Sequence, residues 1–251
     1  MGALGELWEY LTTGDNWTGR GGIIALTWAH VKISVTAVAI AAVVAVPPAI
    51  VLGHVRRGGA LAVSVVNLGR ALPSFGILAL ALPISIQFGL GLGFWPTLVP
   101  LVILAIPPIF ANSYTGIRGV DRGVVESARG MGLRPRQVLL QVELPIAVPL
   151  VLTGLRLSAV QVVATATLGA LVGFQCLGSL VVQGIAQFDD GKTLTGGLLV
   201  ALLAIFTEVA FSATERALTP WRRRRGARMG LRRSAERTPM DPVVSPGTQL
   251  V

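Results

Sequence analysis

An all-α integral membrane protein with about five membrane-spanning helices is the fold class this sequence predicts, on three observations. The 251 residues are 53% hydrophobic and only 13% charged, whereas globular chains carry about 25% charged residues. The apolar residues come in blocks of about twenty, long enough at 1.5 Å per residue to cross a hydrocarbon core of about 30 Å. Short basic segments flank those blocks. The roughly ten-residue alternating segments of a membrane barrel are missing from the pattern.

The net charge is +9, and 19 of the 21 basic residues are Arg. Their placement beside apolar blocks follows the positive-inside rule, so no nucleic-acid partner is expected. The single cysteine, Cys176, excludes an internal disulfide and a cysteine-built metal site. His30 and His54 are too far apart in sequence to suggest a ligand pair, so no metal site is expected either.

Residues 1–30 contain Glu6, Glu9 and Asp15 among Trp8, Tyr10, Trp17 and Trp28. The segment lacks the basic start and apolar core of a secretory signal. Its aromatics suit either an interfacial, extracytoplasmic pre-membrane segment or a short soluble helix. The first span is expected over 31–53, ending at His54, Arg56 and Arg57; the second over 60–83; the third, after GLGLGFWP, over 95–117. A polar loop then covers 118–145, and the fourth span is expected over 146–168. Segment 169–195 is apolar but broken by Gly169, Gly173, Gly178, Gly184 and Gly191, and the fifth span is expected over 196–218. Residues 219–251 form a basic tail of disordered composition.

Counting Arg orients the chain. Segments 54–59, 118–145 and 216–251 carry two, five and nine Arg, while 1–30, 84–94 and 169–195 carry only Arg20 and Lys192. The expected topology puts the N-terminus outside and the C-terminus in the cytoplasm. Segments 84–94 and 169–195 then face outward. Broken backbone at membrane depth survives only in protein or beside a wet cavity, so these two segments are either a gate with re-entrant turns or surface loops.

The polar loop carries ordered capping signals. Asp121 suits an N-cap, Gly132 a left-handed helix stop, and Pro135 the first turn of a following helix. The spacing predicts helix, tight turn, helix over a loop much longer than a simple connection needs. A nucleic-acid helix-turn-helix is excluded by the spans on either side.

Within this loop, Glu126-Ser127-Ala128, Gly132, then Val142, Leu144 and Pro145 stand at the spacing of a known signature. The segment resembles the loop of permease subunits of binding-protein-dependent type I ABC importers, with Ser127 replacing the middle Ala of Glu-Ala-Ala. The resemblance narrows to the branch importing osmoprotectants such as glycine betaine, choline and carnitine. NSYTGIRGVD (112–121), VELPIAVPLVLTGLR (142–156), ATLGALVGF (166–174) and LGSLVVQGI (177–185) are similar to it, and the likeness covers roughly 31–218. One departure stands out: Gly173-Phe174-Gln175-Cys176-Leu177-Gly178 replaces a glycine-rich run at the outward side. That puts Gly173, Phe174, Gln175 and Gly178 forward as candidate outer-gate residues.

What the resemblance implies is a multi-pass subunit of a bacterial-type cytoplasmic membrane, with the type I importer permease fold. It implies a second permease subunit, identical or paralogous, an extracytoplasmic solute-binding protein, and a cytoplasmic ABC ATPase dimer. ATP and Mg²⁺ would be bound by that ATPase, so no cofactor is expected in this chain and the chain is not itself an enzyme. Glu126, Ser127, Ala128, Arg129, Gly130, Gly132, Leu144 and Pro145 would couple it to the ATPase: Ala128 and Gly130 by permitting close approach, Glu126 and Arg129 by charge.

Inside the spans, Arg70, Arg156 and Glu208 each cost on the order of 2.5–3.5 kcal/mol unless they face a cavity or a partner. Arg156 and Glu208 fall at similar depth from the cytoplasmic edge, so they either pair or meet water separately. Asn67, Arg70 and Ser74 form a polar stripe near Pro73 that either lines the pathway or satisfies backbone groups freed by the proline. DDGKT (189–193) lacks the glycine a phosphate loop needs at position 186. Two further readings compete: an ABC permease for another small polar solute such as an amino acid or sulfonate, and an ion-gradient secondary transporter. The second fits poorly, since such transporters show paired repeats and mid-membrane acids.

Overall fold

Gly22 lies in an extended conformation (φ −72°, ψ 157°) and starts a helix that runs 32 residues, α2, Ile23–His54. This computed structural model describes residues 2–218 except Arg20 and Leu72, and leaves aside the side chains of Val63 and residues 66–70. The expected tail, 219–251, lies outside the described residues. Before α2 come α1 (Ala3–Thr12) and a 3₁₀ turn, and after it α3 (Gly59–Ala71), α4 (Ser74–Gln87) and α5 (Phe94–Arg118). The polar loop holds α6 (Arg122–Gly130), α7 (Pro135–Val138) and a π-helical turn (Leu139–Glu143) that runs directly into α8 (Leu144–Thr165). A 3₁₀ stretch (Ala166–Val172), α9 (Leu177–Gln187) and α10 (Asp190–Leu218) complete the described chain. Among the described residues every regular element is helical.

Four helical runs are long and apolar enough to cross a membrane: Ile23–His54, Phe94–Arg118, Pro135–Val172 and Asp190–Leu218. The expected second span, 60–83, is instead two helices of 13 and 14 residues. Each rises about 20 Å, short of the roughly 30 Å hydrocarbon core. The reason is Pro73, which has no N–H to continue the helix and disfavours helical backbone in the residue before it. Pro73 is extended (ψ 115°), and its carbonyl accepts from the Ile77 N–H at 3.1 Å to start α4.

Other boundaries also move. The first span begins at Ile23 rather than 31, so Trp28 belongs to α2 and not to a pre-membrane segment. The last begins at Asp190 rather than 196. Segment 84–94 is the end of α4 and a short exposed turn, while 169–195 is largely helical, with α9 in its middle. The N-terminal aromatics divide. Trp8 faces outward, whereas Tyr10 and Trp17 pack toward Ile23, Leu26, Leu177 and Leu180. Trp17 Nε1 donates to the Leu11 carbonyl at 2.8 Å. Burial, helped by Asp189, pushes the Tyr10 hydroxyl above its ordinary pKa.

At the centre, α2, α5 and α8 pack on one another. Ala37, Ala41, Ala45, Ala49 and Gly53 recur every fourth residue on α2 and are all buried. Residues four apart share a helix face, so the stripe is a smooth, narrow surface. Ala37, Ala41, Ala45 and Ala49 share a core with Leu101, Ala105, Ile109, Phe110 and Tyr114 of α5 and Val162 of α8. Helix α8 approaches α5 closely at Gly154, where an added Cβ would stand 2.8 Å from Asn112 Cβ and 2.9 Å from the Pro108 carbonyl oxygen. One turn on, Ser158 Oγ donates to the Ala105 carbonyl at 2.8 Å.

Gly154→Leu is therefore expected to lower stability by about 1–3 kcal/mol through overpacking against backbone that cannot yield. Gly130→Ala, where an added Cβ meets nothing within 4 Å, is expected to shift it by less than about 0.5 kcal/mol. Thermal unfolding of the detergent-solubilised chain, with both variants side by side, checks the contrast.

Candidate functional site

Asp121 opens the polar loop as the sequence predicts. Its Oδ1 accepts from the N–H groups of Gly123 (2.7 Å) and Val124 (3.2 Å), capping α6. Gly132 closes that helix in the left-handed region (φ +86°). There its N–H donates to the Arg129 carbonyl at 2.9 Å, and the Leu133 N–H to the Ala128 carbonyl at 3.2 Å. These are the two reversed bonds of a Schellman stop, which a residue with a Cβ adopts only under strain. Pro135 is the first residue of α7, and the Arg134 N–H donates to the Gln137 Oε1 at 2.8 Å.

The short helix has two unlike faces. Val125 and Ala128 turn inward onto Val120 and Val138, with Leu133 and Val142 alongside. Glu126, Ser127, Arg129 and Gly130 are exposed. Ala128, expected to offer close approach from outside, is only 3% exposed. Its small side chain instead serves the loop's own core. Leu144 is half-buried and Pro145 exposed at the start of α8.

A cavity of about 510 Å³ opens between the end of α2 and α6, lined by His54, Val55, Arg56, Arg122, Val125, Glu126 and Arg129. Three guanidinium groups against one carboxylate in that lining give it a positive character. Around it, the end of α2 is bonded to both roots of the loop. Arg56 Nη2 donates to the Val120 carbonyl at 3.0 Å, and Arg118 Nη1 donates to the Arg56 carbonyl at 3.0 Å and to the Tyr114 hydroxyl at 2.9 Å. His54 Nδ1 lies 2.5 Å from Glu143 Oε2, and Glu143 is 1% exposed. Neither His54 nor Glu143 was singled out as a site residue by sequence, because partners 89 residues apart leave no local spacing to read.

Farther along the bundle, Arg156 Nη1 lies 3.4 Å from Glu208 Oε1 and 3.6 Å from Glu215 Oε2, and donates to Ser212 Oγ at 3.2 Å. Glu208, Ser212 and Glu215 stand four and seven residues apart, on one face of α10. That spacing was the available signal for Ser212 and Glu215. Ser74 begins α4 and is half-buried. Asn67 and Arg70 lie on α3, with side chains outside the described residues.

The two glycine-rich segments meet at the other end of α5. The Gly93 N–H donates to the Val172 carbonyl at 2.8 Å. Gly173 is exposed and left-handed (φ +86°), and Gln175 is exposed. Phe174 is turned toward the core, its ring centroid 6.4 Å from that of Phe94. Gly178 is buried against the Thr167 backbone. Helix α5, 25 residues long, separates this cluster from the α6 loop by about 37 Å of rise.

The family model described as binding-protein-dependent transport system inner membrane component matches residues 37–220. The chain is 35% identical over 203 residues to the choline transport system permease protein OpuBB of Bacillus subtilis, covering 81% of this chain and 91% of that one. It is 36% identical over 198 residues to the carnitine transport permease protein OpuCB of Listeria monocytogenes, covering 79% and 88%. Among solved structures, an inward-facing form of the MetNI methionine ABC transporter has a TM-score of 0.69 at 24% identity, covering 78% of this chain and 96% of that one. That likeness is one of fold.

Asp121→Ala is expected to cost about 1 kcal/mol of α6 stability by removing the cap. Amide exchange should accelerate at Gly123 and Val124, with α5 and α8 unchanged. Equal acceleration along α5 would contradict a local cap.

Proposed function

The chain belongs to the binding-protein-dependent transport system inner membrane components, and from that premise we propose that it forms the translocation pathway for compatible solutes carrying a quaternary amine: glycine betaine, choline or carnitine. It is a transport subunit of the inner membrane, and it works with a binding protein and an ATPase. The finer arrangement proposed is a pair of permease subunits, identical or paralogous, an extracytoplasmic solute-binding protein, and a cytoplasmic ATPase dimer that holds ATP and Mg²⁺. The names of the relatives support the cargo: they are permeases for choline and for carnitine.

The observation that carries the coupling role is the two-faced α6. Its inner face is fixed by Val125 and Ala128, and its outer edge presents Glu126, Ser127, Arg129 and Gly130. In this reading the outer edge seats in the ATPase, and closure of two ATPases on ATP displaces the loop. The distribution of Arg supports a cytoplasmic position for it, since residues 54–59 and 118–145 carry seven Arg. On that topology α2, the α3–α4 pair, α5, α8 and α10 make five crossings, and the Gly93–Gly173 cluster lies at the outer mouth. Arg156 with Glu208, and Asn67, Arg70 and Ser74, are the polar groups proposed nearest the pathway.

Expressed with its partners in a strain unable to take up osmoprotectants, the chain should restore growth in high salt with betaine, choline or carnitine. Rescue of methionine or taurine uptake instead would move the cargo to another class. Glu126→Lys should insert and express normally yet lose transport, because breaking a charged contact at a buried interface costs roughly 2–5 kcal/mol. Loss of insertion would make the loop a folding element rather than a coupling one.

A further inference from the structure

Both roots of the α6 loop are held by the last residue of α2 and the turn that follows it. At the first root, the Arg56 guanidinium donates to the Val120 carbonyl just before α6. At the second, His54 bonds Glu143, the last residue of the π turn before α8. The two contacts differ in kind. Val120 offers a backbone carbonyl, which any residue there would supply. Glu143 offers a carboxylate that is 1% exposed, and a buried carboxylate needs a hydrogen-bonding partner. Position 143 is also the unconstrained one in the signature, between Val142 and Leu144-Pro145, so the signature does not account for it.

The backbone supplies a second, independent feature. A π turn takes in one residue more than an α turn, and such turns occur often at functional positions. One added residue changes the phase of what precedes it relative to α8 by about 100°, the angle between successive residues of an α-helix. Glu143 sits where that change occurs. On its other side, the joint reaches α2 directly beside Gly53 and the Ala37–Ala49 stripe. At that end α2 touches α5 directly, Gly53 lying against Ile117 and the Tyr114 carbonyl, so a pull there meets α5 within the same turn, although Pro47 and Pro48 interrupt the helix hydrogen bonds farther back.

We propose that the His54–Glu143 hydrogen bond is the joint through which displacement of the α6 loop reaches α2, making His54 and Glu143 positioning residues of the transport cycle. The proposal rests on the docking role given to α6 above. His54 Nδ1–H donates to the Glu143 carboxylate. When the loop moves, α2 is drawn with it at its end, and the stripe passes that motion to α5. Without the joint the loop still docks and answers to ATP, but part of its stroke is spent without moving α2.

The test uses the complete complex, reconstituted in vesicles with its ATPase and binding protein, and measures ATP hydrolysed per solute moved. His54→Ala and Glu143→Ala are compared with the double variant His54→Gln/Glu143→Gln, whose two amides can bond each other. The single variants should assemble with the ATPase and raise ATP consumed per solute about tenfold, within the range of coupling between linked sites. The double variant should return most of that loss, because its two amides restore a hydrogen bond between the two positions, a non-additivity expected of residues in contact. Hydrolysis and transport falling in parallel, failure to assemble, or unchanged coupling in the single variants would each overturn the joint. An unmodified complex whose hydrolysis ignores the binding protein would instead refute the docking role itself.

Discussion

Lipid tails are as apolar as leucine, so apolar faces inside a bilayer gain little by meeting one another, and helices associate through close packing and hydrogen bonds. The stripe of Ala37, Ala41, Ala45, Ala49 and Gly53 answers that constraint, letting α2 lie close against α5. Gly154 does the same for α8. Ser158 and His30 add hydrogen bonds from side chains to the Ala105 and Val163 carbonyls at 2.8 and 2.9 Å. With three helices packed in this way, α5 sets the distance between two clusters: Gly93 with Gly173 at one end, and the α6 loop at the other.

Polar pairs hold what close packing does not. Within its most apolar window α10 is only 11% buried, against 56% for α5. Arg156, reaching Glu208, Ser212 and Glu215, is a fixed link from α8 to that loosely packed helix. The His54–Glu143 bond plays a like part for the loop. At Glu143, which is 1% exposed, a carboxyl has been taken out of water and given a partner, so removing that partner alone is more damaging than replacing both. Such pairs are poor sources of net stability but strict specifiers of geometry.

Helix α6, nine residues long, and the turn that closes it combine these needs. Its inward residues are small or β-branched and build a local core with Val120 and Val138. Its outward residues are charged, small or both. A Schellman stop at Gly132 fixes the angle between α6 and α7 without asking anything of the neighbouring helices. The loop therefore keeps its own shape, since its internal hydrogen bonds are separate from those that tie it to α2.

Much of this was written locally in the chain. Composition and block length determined an all-helical membrane protein, and the Asp121, Gly132 and Pro135 signals determined the loop's shape, because capping and left-handed stops depend on a few neighbouring residues. The signature Glu126–Pro145 determined the family. Pro73 was legible too, yet a 24-residue apolar block outweighed it in the expectation of one span, and the backbone broke there into α3 and α4. What only the tertiary structure decided is which distant groups meet. His54 with Glu143, Glu215 with Arg156, and Gly93 with Val172 are separated by many turns of chain. Their juxtaposition depends on how α2, α5 and α8 pack, and helix packing leaves no periodic mark that names the partner across the interface.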